Sequence, residues 1–170
     1  MDKVNKLNKE LYSEALNLGM CEKGINGWGK PQSLDDLCEM YWWGLEFVID
    51  HHGWPSNKWI LDNVGSDTLR KHNIYINDDM LINNPPRAIL NGRCDIRIKS
   101  GGTPDIYVRD KSRCTIHLTD EAIAHITVYD DAELTVDCGA FARCFIYQYG
   151  GTVNAGGSGK IIVRDIRDLK

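Results

Sequence analysis

The chain of 170 residues lacks the features that identify several large protein classes. It has no apolar run near the ~18 residues that a membrane span requires, and its first residues contain no apolar stretch typical of a signal peptide. It also has no P-loop, Gly-x-Gly-x-x-Gly, Gly-x-Ser-x-Gly or His-Glu-x-x-His motif. These absences predict a soluble, cytoplasmic protein that has no membrane partner and none of the common nucleotide-binding or hydrolase sites.

Basic surface is also scarce. The formal net charge is −4, and residues 1–82 carry 8 Lys and Arg against 13 Asp and Glu. Residues 83–170 are nearly balanced, with 12 against 11, and neither part contains a basic stripe. Because nucleic-acid binding depends on clustered positive charge, nucleic acid is not expected as a partner.

The sequence contains no pattern of metal ligands. Its six cysteines include no Cys-x-x-Cys pair, and such cysteines in a chain of this kind are expected to be buried, reduced thiols. The run Asp50-His51-His52, with His72, suggests a metal at first sight. However, neighbouring helical residues point about 100° apart and chelate poorly together. Neither a metal nor a cofactor is predicted.

Helical periodicity is typical of residues 1–82. All five tryptophans lie before residue 60. Four of them, Trp42, Trp43, Trp54 and Trp59, are expected to form the core of a small domain in preference to a ligand-stacking platform. Residues 21–32 are expected to form a loop, and the run from Asn83 to Pro86 is the predicted domain boundary. The predicted helices are Asp2 to Leu18, a long one that begins at the N-cap Ser33 and ends at His51-His52-Gly53, Pro55 to Val64, and Asp67 to His72.

Beyond Pro86 the sequence repeats with a period of about 20 residues. One strand recurs at Ile106–Asp110 and, at offsets of 20 and then 19, at Ile126–Asp130 and Phe145–Tyr149, with a last copy at Lys160–Asp165. A second strand recurs in the same phase, as Cys94–Ile98, Cys114–Leu118, Leu134–Cys138 and Val153–Ala155. Two strands that share one period predict a β-solenoid whose coils stack and pair their strands in parallel.

These coils resemble a miniature right-handed parallel β-helix of the pectin-lyase-like kind over residues 88–165. Their rungs, interrupted by Asp and Gly, are also similar to those of bactofilin-type and phage-type β-helices. The predicted fold class is a two-part α+β chain. A small helical domain, residues 1–82, can cap a parallel β-solenoid of about four coils, residues 83–170. The third side of each coil is left unassigned at residues 119–124 and 139–143. The whole layout resembles small bacterial or phage-borne proteins.

The repeat predicts which side chains face inward. The expected inward ladders are Ile106/Val108, Ile126/Val128, Phe145/Tyr147 and Ile161/Val163 on the first strand, and Cys94, Cys114 and Leu134 on the second. The turns are expected at Asp110–Ser112, Asp130–Ala132 and Gly150–Thr152. Stacked Asp110 and Asp130 could hold Ca²⁺, but Asp is also favoured in tight turns, and we favour the turn.

Two outward rows are candidate binding surfaces. Arg97, His117 and Asp137 follow one another at offsets of 20, so they could bind an anion or an acidic sugar, with the histidine and the aspartate as an acid and base pair. The simpler interpretation, which we favour, is a solvated ladder of mixed charge. The second row is Arg109, Tyr129, Gln148 and Arg164. It is typical of carbohydrate or protein contacts, and we favour a face that packs against the helical domain or a second subunit.

The favoured function is a non-catalytic structural or protein-interaction module that self-associates, since short turns on a short coil stack offer faces more readily than a cleft. No catalytic residue is assigned. The alternative is a carbohydrate-binding or carbohydrate-cleaving protein that uses the row of Arg97, His117 and Asp137. A third hypothesis is a phage or mobile-element accessory protein whose acidic helical domain binds a host protein.

Overall fold

The computed structural model describes residues 3–83, 85–99 and 103–167, and the chain divides into a helical unit and a β-solenoid. The helical unit ends at His72 and the solenoid begins at Asn73, whereas the sequence predicted the division after residue 82. The difference arises because the first two strands, β1 (Ile74–Ile76) and β2 (Asp79–Asn83), pair with later strands of the solenoid. The predicted two-part α+β fold is confirmed.

The described part of the helical unit contains six helices. They are α1 (Lys3–Asn17), α2 (Glu22–Gly27), α3 (Leu34–Trp43), α4 (Leu45–Asp50), α5 (Asn57–Asn63) and α6 (Ser66–Lys71). The long helix predicted after Ser33 is interrupted at Gly44, which ends α3 and begins α4. Helix α2 lies in the predicted loop. It packs closely at Gly24, where a Cβ would come within 2.6 Å of the Met20 side chain.

The start of α3 shows how local sequence specifies the helical unit. The Ser33 hydroxyl accepts a hydrogen bond from the Asp36 backbone N–H at 3.1 Å, and the Asp36 carboxylate accepts one from the Ser33 N–H at 3.0 Å. This reciprocal capping box satisfies two N–H groups that would have no partner inside the helix. Leu37 then contributes to a small apolar cluster with Val4 and Leu7 of α1.

The solenoid consists of two parallel sheets formed by eleven strands within the described ranges. After β1 and β2 the strands are β3 (Arg87–Asn91), β4 (Arg93–Lys99), β5 (Asp105–Val108), β6 (Arg113–Leu118), β7 (Ile123–Val128), β8 (Glu133–Cys138), β9 (Arg143–Gln148), β10 (Thr152–Gly157) and β11 (Lys160–Asp165). Odd-numbered strands form one sheet, the odd sheet, and even-numbered strands form the other, the even sheet. The stack has about five turns, one more than predicted.

The coil is built from two similar halves of about ten residues. Each half is a six-residue strand followed by a four-residue turn, as in Ile123–Val128 followed by 129–132. The turns at 119–122, 129–132 and 139–142 are each closed by a hydrogen bond from the N–H of their last residue, an alanine, to the carbonyl of their first. Segments 119–124 and 139–143 are therefore turns and strand starts, and the coils have no third side where the structure describes them.

The register of β9 differs from the prediction by one residue. Ile126 pairs with Ile146, an offset of 20 and not 19. The prediction that Phe145 and Tyr147 face inward is therefore wrong. A shift of one residue moves every side chain of a strand to the opposite face, and the inward residues are Cys144 and Ile146, both fully buried.

The remaining inward ladders lie where the repeat places them. Ile106 pairs with Ile126 and Val108 with Val128 in the odd sheet, and Cys94, Cys114 and Leu134 are successive partners in the even sheet. All of these residues are buried in one continuous apolar core. Neighbouring coils therefore bury each other's inward side chains, as expected for a solenoid.

Candidate functional site

The row of Arg97, His117 and Asp137 is formed as predicted. These residues are direct register partners on the outward face of the even sheet, on β4, β6 and β8. His117 Nδ1 lies 3.6 Å from an Asp137 carboxylate oxygen, and His117 Nε2 lies 3.1 Å from an oxygen of Asp95. Asp95, which was not among the predicted site residues, is on β4 two residues before Arg97, so strand alternation places it on the same face.

The geometry of this row favours a mixed-charge ladder over an acid and base pair. Both imidazole nitrogens of His117 already face carboxylate oxygens on the neighbouring coils. The approach to Asp95 is an ion-pair distance without hydrogen-bond alignment, and exposed pairs of this kind stabilise a protein by about 0–1 kcal/mol. The exposed Arg97 remains the group through which the row could bind an anion.

The second predicted row is not formed. Arg109 is fully buried, with its guanidinium Nη2 3.0 Å from the Asp110 carboxylate. Gln148 is a register partner of Val128 on the inward side, and its amide donates to the Gly151 carbonyl at 2.8 Å. Arg164 lies beside Tyr147, with its guanidinium carbon 5.8 Å from the ring centroid. The predicted offset of 19 aligned Gln148 with Tyr129, whereas the observed offset of 20 pairs Gln148 with Val128.

Tyr129, the remaining member of that row, stacks on Tyr149, with ring centroids 5.3 Å apart and planes 13° apart. His125 and Phe145 stack in the same way at 5.0 Å and 17°. Rings that lie over one another at the coil spacing cover each other's faces, whereas a sugar platform needs an open ring face. These stacked rings, which lie in the odd sheet for His125 and Phe145 and in the turns that follow it for Tyr129 and Tyr149, therefore favour cohesion between coils over carbohydrate stacking.

The turn aspartates connect neighbouring coils. An Asp130 side-chain oxygen accepts a hydrogen bond from the backbone N–H of Asp110 at 2.8 Å. Asp110, Asp120 and Asp130 all have positive φ, between 56° and 59°, a conformation that Asp tolerates better than most residues. This geometry supports the turn interpretation of these carboxylates over a calcium site.

The histidines considered for a metal are held separately. His51 has its ring nitrogens 2.8 and 3.0 Å from the Phe47 and Leu18 carbonyl oxygens. His72 lies between two carboxylates of α3, at 2.8 Å from Asp35 and 2.8 Å from Glu39. Across the described ranges, no group of three or more His, Cys, Asp or Glu side chains is arranged to hold a metal ion.

His72 also connects α6 to α3 through its backbone, since its carbonyl accepts a hydrogen bond from the Trp42 indole at 2.8 Å. Burial opposes protonation of the imidazole, but hydrogen bonds to Asp35 and Glu39 outweigh it and raise the pKa of His72. The hydrogen bond between His72 and Asp35 also lowers the pKa of the Asp35 carboxyl. The folded helical unit therefore favours the protonated form of His72.

The tryptophans fit the predicted core only in part. Trp42 is buried, Trp54 and Trp59 are half-buried, and Trp43 is exposed, which departs from the prediction. Burial raises the pKa of Cys38 to about 12 and that of Cys144 to about 12, so both remain thiols at neutral pH. Cys21 is the exposed cysteine, and the other five are buried.

The last coil carries surface features that the sequence pattern did not predict. Val163 on β11 occupies the inward register position opposite Ile146, yet it is 47% exposed. Val153 and Ala155 on β10 and Ile161 on β11 are likewise only partly buried. The inward apolar residues of the last described coil are therefore more exposed than their register partners on the coil before it.

An exposed phenylalanine lies next to the last described coil. Phe141 is 78% exposed in the turn at 139–142, and the ten-residue half-repeat aligns it with Glu121 one coil earlier. The backbone of Gly159 in the last coil packs against this turn, because a Cβ there would lie 2.2 Å from the Gly139 carbonyl oxygen. Aligning the half-repeats would have identified Phe141 as an apolar residue at a charged position.

No protein-family model, curated protein or solved structure matches the chain. Within the residues that the structure describes, no helix has the length and apolar character needed to span a membrane. Candidate functions therefore depend on the surfaces of the solenoid and the helical unit themselves.

Proposed function

We propose that the chain is a non-catalytic interaction module that self-associates through the last coil of its solenoid. The observation that carries this proposal is the exposure of Val163 at an inward register position, where its partner on the previous coil, Ile146, is fully buried. The apolar surface at this end has the composition of the core that it continues.

Strand pairing supports the same proposal. β11 is the last strand of the odd sheet and β10 is the last strand of the even sheet. Outer strands present backbone N–H and C=O groups that can pair with a strand of another chain. A second solenoid placed there would add hydrogen bonds and bury apolar surface at roughly 25 cal/mol per Å², which are the interactions that join coils within one chain.

The test is a concentration series of the full-length chain by size-exclusion chromatography with light scattering. The wild-type mass is expected to increase with concentration, and Val163→Glu is expected to weaken association at least about tenfold, because it places a charge in the contact. The matched control is Thr135→Glu, which adds the same residue at an exposed outward position of β8. A strict monomer at high concentration would contradict the proposal.

The proposal includes a right-handed coil of the kind that the sequence resembles. Its support is the general rule that parallel strands joined through a crossover are right-handed in about 98% of cases. A crystal structure of the chain tests this directly, and a left-handed coil would separate the chain from the pectin-lyase-like and bactofilin-type solenoids.

The alternative function is carbohydrate binding on the outward face of the even sheet. The observation in its favour is that Arg97, His117 and Asp137 are direct neighbours on a surface of paired strands. A glycan array of wild type against Arg97→Ala tests it, with an acidic glycan as the expected ligand because Arg97 is cationic. Absence of any signal that the substitution removes would rule this alternative out.

A further inference from the structure

We propose that Cys94 and Cys114 are an oxidation site of the solenoid, where a hydroperoxide converts two stacked thiols into a disulfide that joins neighbouring coils. Both residues are free thiols in the structure. The site lies in the core of the even sheet, away from the surfaces considered above, and its chemistry does not depend on self-association.

The parallel register places the two cysteines side by side. Cys94 of β4 and Cys114 of β6 are direct register partners, and both are inward residues that are 2% exposed. Neighbouring strands lie about 4.8 Å apart, which is within the separation of about 4.4–6.8 Å between Cα atoms that disulfides span. A disulfide can therefore form without a change in the pairing of these strands.

This arrangement distinguishes the two cysteines from the other buried thiols of the solenoid. Among the described strands, no other pair of cysteines shares a register position. The register partners of Cys138 and Cys144 are Leu118, Gly157, Ala124 and Ile161. Oxidation that is guided by the fold should therefore select one pair.

The surroundings of Cys94 favour it as the thiol that reacts first. Hydrogen bonds from the Cys114 thiol and from the backbone N–H groups of Asp78 and Asn77 lower the pKa of Cys94, against the opposing effects of burial and of the Asp78 charge. The hydrogen bond between the two thiols, together with burial, raises the pKa of Cys114. Because the thiolate is the form that attacks an oxidant, Cys94 is assigned as the attacking thiol and Cys114 as the resolving thiol.

The reaction balances with a hydroperoxide as the oxidant. The Cys94 thiolate attacks one oxygen of hydrogen peroxide, the O–O bond breaks and hydroxide leaves, which gives a sulfenic acid at Cys94. The Cys114 sulfur then attacks Cys94 Sγ, the S–O bond breaks, and water leaves with the proton of the Cys114 thiol. Two electrons pass from the two sulfurs to the peroxide, and the small size of this oxidant suits a buried site.

The disulfide should stabilise the solenoid. It would join residues that are 20 positions apart, in β4 and β6, and such a cross-link restricts the unfolded chain. The circular dichroism transition in urea should therefore move to a concentration higher by about 1 M or more, and dithiothreitol should reverse the shift. An unchanged transition in a chain that carries the disulfide would overturn this stabilising role.

Peptide mapping of the full-length chain tests the pairing. In a Cys21→Ser background, which removes the exposed thiol, the folded protein is treated with hydrogen peroxide and the remaining thiols are then alkylated in urea. Trypsin cleaves after Arg97 and Arg113, so the disulfide would hold together two peptides that otherwise separate. We expect at least about tenfold more of the pair Cys94–Cys114 than of any other cysteine pair. Absence of this pair, or an equal mixture of pairs, would overturn the proposal.

Two matched variants in the same background test which thiol attacks, with dimedone added in urea after oxidation to label sulfenic acids. Cys114→Ser keeps a hydrogen-bond donor beside Cys94 but removes the resolving thiol, so the sulfenic acid should persist at Cys94 and be labelled. Cys94→Ser should give at least about fivefold less label at Cys114, because a thiol of raised pKa attacks poorly. Equal labelling of the two variants would overturn the assignment of Cys94 as the attacking thiol.

Discussion

The solenoid and the helical unit are stabilised by different arrangements of contacts. The solenoid has one continuous apolar core in which each buried residue lies between equivalents on neighbouring coils, as Ile126 does between Ile106 and Ile146. The helical unit combines a small apolar cluster with individual polar contacts, such as the hydrogen bond of 2.9 Å from the Trp59 indole to Glu10. The buried positions of the solenoid can be predicted from the sequence period because they repeat. A single contact in the helical unit depends on how two particular helices pack, which no period indicates.

The chain allows the two units to be followed separately. Every tryptophan lies in the helical unit, so indole fluorescence reports its unfolding. The β-sheet signal in far-ultraviolet circular dichroism reports the solenoid, because all eleven described strands belong to it. Each substitution below is expected to move one signal more than the other in urea.

The largest effect is expected from Ile126→Ala in the middle of the solenoid. Truncating a fully buried isoleucine between two coils should lower the free energy of unfolding by about 2–5 kcal/mol. The circular dichroism transition should move and the fluorescence transition should not. Val163→Ala is the comparison on the same inward face. It should cost less than about 1 kcal/mol at concentrations where the chain is monomeric, because much of that side chain is already in water. Equal costs would contradict the open last coil.

A smaller effect is expected from Gly151→Ala in the solenoid. The comparison in the helical unit is Gly19→Ala, at a glycine of similar backbone conformation. Gly151 and Gly19 both have positive φ, 62° and 87°, a conformation that costs other residues about 1–2 kcal/mol. A Cβ at Gly151 would also lie 2.0 Å from the Ala132 carbonyl oxygen of the previous coil, whereas none would touch Gly19. Gly151→Ala should therefore lower the free energy of unfolding by more than about 2 kcal/mol and by more than Gly19→Ala. Equal losses in urea titrations would contradict the close contact between coils.

In the helical unit, Ser33→Ala should lower the free energy of unfolding by about 1 kcal/mol, because it removes the hydroxyl that caps α3. The fluorescence transition is the readout. Ser158→Ala, at an exposed position of the solenoid, is the control and should leave that transition unchanged. A loss of the same size in both variants would show that the capping box is not its cause.

The smallest effect is expected from pH acting on His72. Because the folded pKa of this group is raised, its contribution is fully present below the unfolded value, about 6.5, and is lost as pH rises through the folded value. The fluorescence midpoint in urea should therefore fall as pH rises above about 6.5. His72→Gln should remove this part of the pH dependence, and the same slope in that variant would assign it to other groups.

Much of the fold follows from local sequence. The change from helical periodicity to short alternating strands predicts two units, and the offset of 20 residues is sufficient to predict that Arg97, His117 and Asp137 lie side by side. The capping box at Ser33 is readable for the same reason, since its partners are three residues apart. Such features depend on spacing along the chain, which the sequence contains directly.

Tertiary structure decided the remaining features. Hydrophobicity could not distinguish Phe145 from Ile146 as the inward residue of β9, because both are apolar and register is set by pairing with β7. It could not show that Val163, inward by pattern, lies half-exposed, since exposure depends on how the folded chain packs around a side chain. The sequence by itself determined a repeating coil. Only the stacking of those coils decided which apolar residues are enclosed and which remain exposed.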